Sequence, residues 1–358
     1  MTNSHSHGNR NPVVVIGTVG VPSRYGGFES LVENLLDSLD QKYVVYCSSM
    51  AYENQAREYK GAVLRYVRLQ ANGLSSMLYD AVSVLDAVWR GDRQLLILGV
   101  SGAFILPLIR SIKPTTRLVI NIDGIEWQRQ KWGRGARWLL RKLEQWAVRN
   151  AHVVIADNLA IAHYVNSTYG RNCEVIAYGG DHAVMGRNVK TEAAEDYALS
   201  VCRIEPENNI HLILQAFHET GQRLRIVGNW QASEYGRDLK QRYAASRHLE
   251  ILDPIYDLDR LYEHRARMKL YVHGHSAGGT NPSLVEAMHF GRPILAFDCT
   301  YNRATLEGQG EYFYDVASLK RLISYPDRPS RDEAILETAR RRYTWDAIRK
   351  RYEALFAH

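Results

Sequence analysis

Short apolar runs alternate along this chain with stretches whose apolar residues recur every three or four positions, and the alternation occurs twice. In the first half the runs NPVVVIG, KYVVYC, AVLRYV, QLLILGV, RLVINID, HVVIAD and CEVIAY predict strands. Helical patterns lie between most of them. The first, Phe28–Leu39, aligns Phe28, Leu31, Val32, Leu35, Leu36 and Leu39 on one face. Strands apolar on both faces, separated by amphipathic helices, predict a parallel sheet covered on both sides.

The alternation stops in the polar stretch GGDHAVMGRNVKTEAAE, residues 179–195, which reads as a linker. It restarts with YALSVCR, NIHLILQAF, RLRIVG, a helix to about Ser246, HLEILD, a helix after Asp257, MKLYVHGH, the helix of NPSLVEAM and RPILAF. Helices close the chain, the last over YTWDAIRKRYEALF. The expectation is an α/β protein of two doubly wound, Rossmann-like parallel-sheet domains facing a cleft, over 13–180 and 196–341, preceded by a disordered tail at 1–12. Such sheets bind ligands beyond the carboxyl ends of their strands.

Bulk properties narrow the class. A chain of 358 residues with 46% hydrophobic and 23% charged residues has room for two soluble-type cores. No run approaches the roughly 18 apolar residues of a membrane-spanning helix. The opening MTNSHSHGNRNP has no apolar core and does not read as a signal peptide. Cys47, Cys173, Cys202 and Cys299 stand apart without metal-ligand spacing, so a reduced cytoplasmic setting is expected. The net charge of +6 favours an anionic partner. Apart from the tryptophan-rich basic segment at 127–149, no basic block interleaved with base-stacking aromatics suggests nucleic acid.

Chemistry concentrates at three turns. After MKLYVHGH comes Ser276-Ala277-Gly278-Gly279, with Thr280 or Asn281 able to cap the next helix and Pro282 suited to its first turn. Glycines admit a ligand to the backbone, and helix-start amides attract phosphate. Glu286, opposite Leu284, Val285 and Met288, is placed to accept hydrogen bonds from sugar hydroxyls; an ordinary turn followed by an exposed glutamate fits the same spacing. Gly26-Gly27, before Phe28, is a second anion cradle but not a GxGxxG, and no acid ends KYVVYCSSM, which disfavours nicotinamide binding. Arg203, with Asn208 and Asn209 after it, could neutralise a diphosphate or be a plain surface arginine. Asp257 and Asp259 read as helix caps rather than a metal-binding DxD. His273 and His275 lack ligand-spaced partners, so no metal is expected, although His275 is a candidate for the cleft wall.

Together IGTVGVPSRYGGFE, NIDGIEWQRQKW, CRIEPENN and GGTNPSLVEAM resemble family 4 of the retaining glycosyltransferases, which have the GT-B fold, and most of all its bacterial rhamnosyltransferase branch. The resemblance runs from Val13 to the last helix. It implies an acceptor-side first domain, a second domain binding a nucleoside-diphosphate sugar as co-substrate, no further cofactor, and a helix at 342–358 returning to the first domain. By that resemblance Glu286 holds the ribose, and the segment Gly278, Gly279, Thr280, Asn281, Ser283 and Leu284 contacts the donor. Arg203 grips the diphosphate with Gly26 and Gly27, with Asn208 and His275 nearby. Asp123 and Glu126 are candidates for sugar or acceptor recognition. Two departures stand out: family members commonly carry an acid where this chain has Gly278, and a lysine where it has Asn208.

The resemblance implies transfer of a deoxyhexose, rhamnose from dTDP-rhamnose, to a saccharide or polyprenyl-diphosphate-linked acceptor in surface polysaccharide synthesis. A UDP- or GDP-sugar donor, or a non-catalytic nucleotide-sugar-binding subunit, are the alternatives. One segment suggests where such a protein would work. Trp132, Arg134, Arg137, Trp138, Arg141 and Lys142 combine tryptophans with cations as a helix at an anionic membrane surface would, on the inner face of the cytoplasmic membrane. The competing reading packs Leu139, Leu140, Leu143 and Trp146 on the sheet and leaves the cations solvated.

Overall fold

Every side chain of Val13–Ile16 is fully buried, as a central strand flanked by strands and covered by helices demands. The computed structural model describes residues 11–357 apart from 24–25, 39, 74, 130–131, 188, 190–192 and 326–330. The tail assigned to 1–12 lies outside the described residues as far as residue 10, as do parts of the motifs around Gly26 and Trp132. By internal contacts the chain forms two units: Met1–Asp157, Ile161–Ile176 and Arg349–His358, and Asn158–Ala160 with Ala177–Ile348.

The first unit runs β1 (Val13–Ile16), α1 (Gly27–Leu35), β2 (Tyr43–Ser48), β3 (Glu58–Tyr59), β4 (Ala62–Val67), α2 (Ser75–Trp89) and β5 (Gln94–Leu98). It continues with α3 (Leu106–Ile112), β6 (Arg117–Asn121), α4 (Arg134–Asn150), β7 (Val153–Ala156), α5 (Leu159–Tyr169) and β8 (Glu174–Val175). The sheet order is β3-β4-β2-β1-β5-β6-β7-β8, parallel except at β3–β4. All seven strands read from the sequence are present; the two-residue β3 was too short to leave a pattern.

The second unit runs β9 (Ala198–Val201), α6 (Ile210–Thr220), β10 (Leu224–Val227), α7 (Glu234–Arg242), β11 (Leu249–Leu252), α8 (Leu258–Arg267) and β12 (Leu270–His273). Then follow α9 (Pro282–Met288), β13 (Ile294–Phe297), α10 (Thr300–Thr305), β14 (Glu311–Phe313), α11 (Val316–Ile323), α12 (Asp332–Arg342) and α13 (Trp345–Ala354). The order β11-β10-β9-β12-β13-β14 is parallel throughout. Its strand order reverses between β9 and β12, so a crevice opens there beyond the carboxyl ends of the strands. Two core layers, one around Tyr271, Met288 and Tyr343 and one around Phe217, Trp230 and Phe313, cover the sheet.

The stretch taken as a linker is partly built structure: Asp181–Val184 form a 3-10 turn. The Asp181 carboxylate accepts from the backbone N–H of Trp345 at 2.8 Å, and Gly180 N donates to the Tyr343 carbonyl at 2.7 Å. From Arg349 onward α13 belongs to the first unit. There Asn121 Nδ2 donates to the Tyr352 hydroxyl at 2.9 Å, Arg117 Nε donates to the Leu355 carbonyl at 3.0 Å, and Phe356 is buried.

The crossing from β1 to its loop depends on Gly17. Its φ is +95°, and a Cβ there would lie 1.9 Å from the Leu98 carbonyl oxygen at the end of β5. Gly17→Ala is expected to cost about 1–3 kcal/mol by overpacking and left-handed strain. Gly135→Ala, within α4 and with open space around the added methyl, should instead stabilise by about 0.5–1 kcal/mol. Urea unfolding of both variants checks the opposite signs.

Candidate functional site

Two neighbouring loops of the second unit are stitched together at its strand-order reversal. The loop after β9 carries Arg203 and Asn208; the loop after β12 carries Gly274 to Asn281. Asn208 is buried, its Nδ2 donates to the Arg203 carbonyl at 2.6 Å, and its Oδ1 lies 2.7 Å from His275 Nδ1. An amide oxygen only accepts, so Nδ1 of His275 carries the proton. Asn209 Nδ2 donates to the Gly274 carbonyl at 2.9 Å, and Ser276 donates to the Glu207 carbonyl through N at 3.0 Å and Oγ at 2.8 Å. Gly274 is obligatory, because a Cβ would fall 2.0 Å from the Asn208 carbonyl oxygen.

These bonds change the part expected of Asn208. Both polar ends of its side chain are spent inside the protein, so it braces the loops rather than offering a group to a ligand. Arg203 differs. Its side chain is half exposed, with Glu205 at 3.5 Å as a loose partner, so its guanidinium is available to an anion.

Asn281, not Thr280, is the cap of α9: its Oδ1 accepts from Ser283 N at 3.0 Å and Ser283 Oγ at 2.8 Å. Leu284 N and Val285 N both donate to the Asn281 carbonyl. The amides of Ser283 and Leu284, assigned to donor contact, are therefore already used, and Leu284 is fully buried. The approach left to a ligand is the preceding turn of Ser276 to Gly279, where Gly278 adopts a φ of +102°. Thr280 is buried, and Asn158 Nδ2 donates to its hydroxyl at 3.3 Å.

Glu286 is not the lone outward acid that its helix position predicted. Its side chain is only 16% exposed and ion-paired to Arg265 of α8 through Oε2, with His182 Nε2 3.1 Å from Oε1. The indole N–H of Trp345 donates to His182 Nδ1 at 2.9 Å. An indole cannot accept, so a neutral His182 bears its proton on Nε2 and donates it to Glu286. Burial pushes the Glu286 carboxyl up, but the Arg265 charge and the His182 contact outweigh it and hold the group below its usual value of 4.5. The result is a carboxylate fixed in place, with a lone pair left on each oxygen. Neither Arg265 nor His182 carried a sequence signal; one lies in the last turn of α8 and the other in the presumed linker.

Of the other polar candidates in this unit, Asp257 caps α8, its carboxylate accepting from Arg260 N at 3.0 Å, and Asp259 pairs with Arg187. His273 is buried against Tyr271, and burial pushes its pKa well down, so it stays neutral. Among the described residues no group of three or more His, Cys, Asp or Glu is arranged to hold a metal.

In the first unit, Gly26 caps α1 with a φ of +135°, but Glu29 occupies the space in front of it. A Cβ on Gly26 would meet Glu29 Oε2 at 1.9 Å, while Oε1 accepts from Thr18 Oγ1 and Val19 N at 3.0 Å each. The chain thus supplies its own anion at the Gly26-Gly27 helix start, which removes the expected phosphate cradle there. Asp123 follows β6 in a left-handed conformation, φ +57°, with its N–H donating to Asn121 Oδ1 at 3.0 Å. Such strain in a non-glycine residue is commonest at functional positions. Glu126 is held locally by Arg129 at 2.8 Å and by the Trp132 indole N–H at 3.0 Å.

Residues 187–338 match the family described as Glycosyl transferases group 1, and residues 10–181 match a domain of unknown function, DUF1972. No curated protein matches the sequence significantly. Sucrose-phosphate synthase from Thermosynechococcus elongatus is similar in structure at TM-score 0.77 and 16% identity, over 97% of this chain and 98% of that one. HepE of Anabaena in complex with UDP reaches 0.70 at 16% identity, over 97% and 99%. Starch synthase IV of Arabidopsis thaliana, bound to ADP and acarbose, reaches 0.71 at 12%, over 97% and 99%. The fold is GT-B, and with the matched domain it supports a glycosyltransferase built on a nucleotide-sugar-binding fold.

Two variants test the buried pair. Because the folded Glu286 carboxyl lies below its usual range, the pair's stabilisation is complete above that range and lost as pH falls through the lowered value. Glu286→Gln should flatten the acid limb of stability against pH in urea titrations. Arg265→Met, which strands the buried carboxylate, should cost about 3 kcal/mol at neutral pH.

Proposed function

We propose that this GT-B glycosyltransferase transfers a sugar from a nucleoside diphosphate with retention of anomeric configuration, as a member of glycosyltransferase family 4. The donor is dTDP-rhamnose, and the acceptor is a saccharide or a polyprenyl-diphosphate-linked sugar of a bacterial surface polysaccharide. The observation that carries this reading is the pre-paired Glu286 carboxylate on α9, the helix that follows the glycine turn at the β9–β12 reversal. A carboxylate whose position and charge are set by Arg265 and His182 accepts a hydrogen bond from the nucleoside's sugar hydroxyl without reorganising.

In the proposed reaction Arg203, loosely held and exposed, meets the charge that develops on the departing diphosphate. The glycine turn lets the phosphates approach the backbone. The acceptor hydroxyl attacks on the face the diphosphate leaves, so no protein nucleophile is required. The leaving charge is neutralised by the guanidinium in place of a divalent metal, in keeping with the capping role of Asp257. Asp123 and Glu126 serve sugar or acceptor recognition.

The second reading, a UDP-sugar donor, is favoured by HepE, which is similar in fold and was solved with UDP-glucose. The two differ at Glu286, since UDP offers two ribose hydroxyls and dTDP only one. A non-catalytic nucleotide-sugar-binding subunit is the third.

A panel of nucleoside-diphosphate sugars with a lipid extract, followed by nucleoside diphosphate release, should show turnover with dTDP-rhamnose. Turnover with UDP-glucose alone rejects the rhamnosyl donor, and binding without turnover favours the subunit. Arg203→Ala should weaken dTDP binding by about 1.5–3 kcal/mol, roughly ten- to a hundredfold, while thymidine binding stays unchanged. Glu286→Gln is the informative change at the acid, since Glu286→Ala would also strand Arg265.

A further inference from the structure

The outer face of one helical layer in the first unit is apolar where water should meet it. On α2, Leu78, Val82, Leu85 and Trp89 follow one another at three- and four-residue spacing, opposite the buried Tyr79, Ser83 and Ala87. All four are exposed, Trp89 at 91%. A helix covering a sheet normally turns polar residues outward.

A second exposed apolar row lies on the next helix of the same layer. The connections β4 to β5, β5 to β6 and β6 to β7 all step the same way across the sheet. Right-handed crossovers therefore put α2, α3 and α4 on one face. The 3-10 turn Ala103–Ile105 packs against all three. It and α3 expose Phe104, Leu108 and Ile112, again four residues apart. An apolar surface of this extent on a soluble-type domain marks an interaction site.

Beside it lies the cationic helix. Over Arg134–Asn150, α4 has five basic side chains and one acid, Glu144, which is buried and accepts from the Tyr164 and Tyr169 hydroxyls at 2.6 Å each. Its outward charge is therefore wholly positive. Trp138 is 64% exposed among Arg134, Arg141 and Lys142. A groove of about 340 Å³ runs there, lined by Trp138, Arg141, Lys142, Gln145, Thr168 and Tyr169. Trp132 and Arg137, expected on this surface, are instead turned to the preceding loop through Glu126 and the Arg129 carbonyl. The rival packing of α4 also needs correction: it is Leu143, Ala147 and Val148 that face the core, while Trp146 is 38% exposed.

We infer that the outer surface of α2, α3 and α4 docks on an anionic lipid bilayer, with the apolar stripe entering the headgroup region and the α4 cations meeting lipid phosphates. Apolar area and positive charge side by side are what an interfacial surface combines. A second copy of the chain fits less well, since a two-fold contact over the whole face sets the α4 cations either against each other or against the apolar stripe of α2. Among the described residues no helix is long and apolar enough to cross a membrane, so the contact is superficial. The inference goes beyond the donor reading and does not depend on it, because binding is read without nucleotide.

The test sediments the full chain with phosphatidylcholine vesicles, with and without phosphatidylglycerol. Partition should favour the anionic vesicles and weaken at about 0.5 M salt, where the Debye length is short. Reversing Arg134 and Arg141 to Glu should reduce it about thirtyfold or more, from about 1 kcal/mol per cation near an anionic surface. Leu78→Glu with Leu85→Glu should reduce it at unchanged surface cations. All four positions are exposed, and unaltered thermal melting controls for folding. Equal partition onto both vesicle types, or none onto either, overturns the inference. So does a concentration-dependent dimer that Leu85→Glu disperses in a chain that ignores vesicles.

Discussion

A carboxylate that is only 16% exposed must be compensated by charge or hydrogen bonds, and Glu286 imposes that requirement on three distant parts of the chain. Arg265 comes from α8, His182 from the 3-10 turn after β8, and Trp345, which sets the His182 tautomer, from the first residue of α13. None of the three positions is free to move without leaving a buried charge unmatched. The same cluster anchors the chain where it leaves the second unit, since Trp345 N is also held by Asp181.

Against that fixed acid, the two loops at the β9–β12 reversal are rigid for a different reason. Asn208 ties the Arg203 carbonyl of its own loop to His275 of the other, while Asn209 and Ser276 each donate to a backbone carbonyl of the opposite loop. A lysine at Asn208, as commonly found in the resembled family, could not accept from His275 or reproduce this brace. With the first amides of α9 taken by Asn281, the exposed guanidinium of Arg203 is the loosely held positive charge of these loops. At Asn208 the loop gains stiffness where, against the resembled family, it loses a cation.

The sheets were legible because buried parallel strands need continuous apolar runs, and only the short β3 and β14 escaped. The caps of α8 and α9 were legible as well, since Asp257 and the pair Asn281-Pro282 carry local chemistry. The apolar stripe of α2 was not. Leu78, Val82, Leu85 and Trp89 lie at the same helical spacing as core residues, and periodicity cannot say which of two apolar faces is turned inward.

What the sequence by itself determined is therefore everything set by near neighbours: strand and helix identity, the doubly wound alternation, the glycine turns and the caps. Tertiary structure decided which polar groups remain available. Whether Glu286 is solitary or paired and whether Asn208 contacts a ligand or a loop depend on partners 21 and 67 residues away. Both are contacts made by chain crossings, which leave no periodic trace in the residue order.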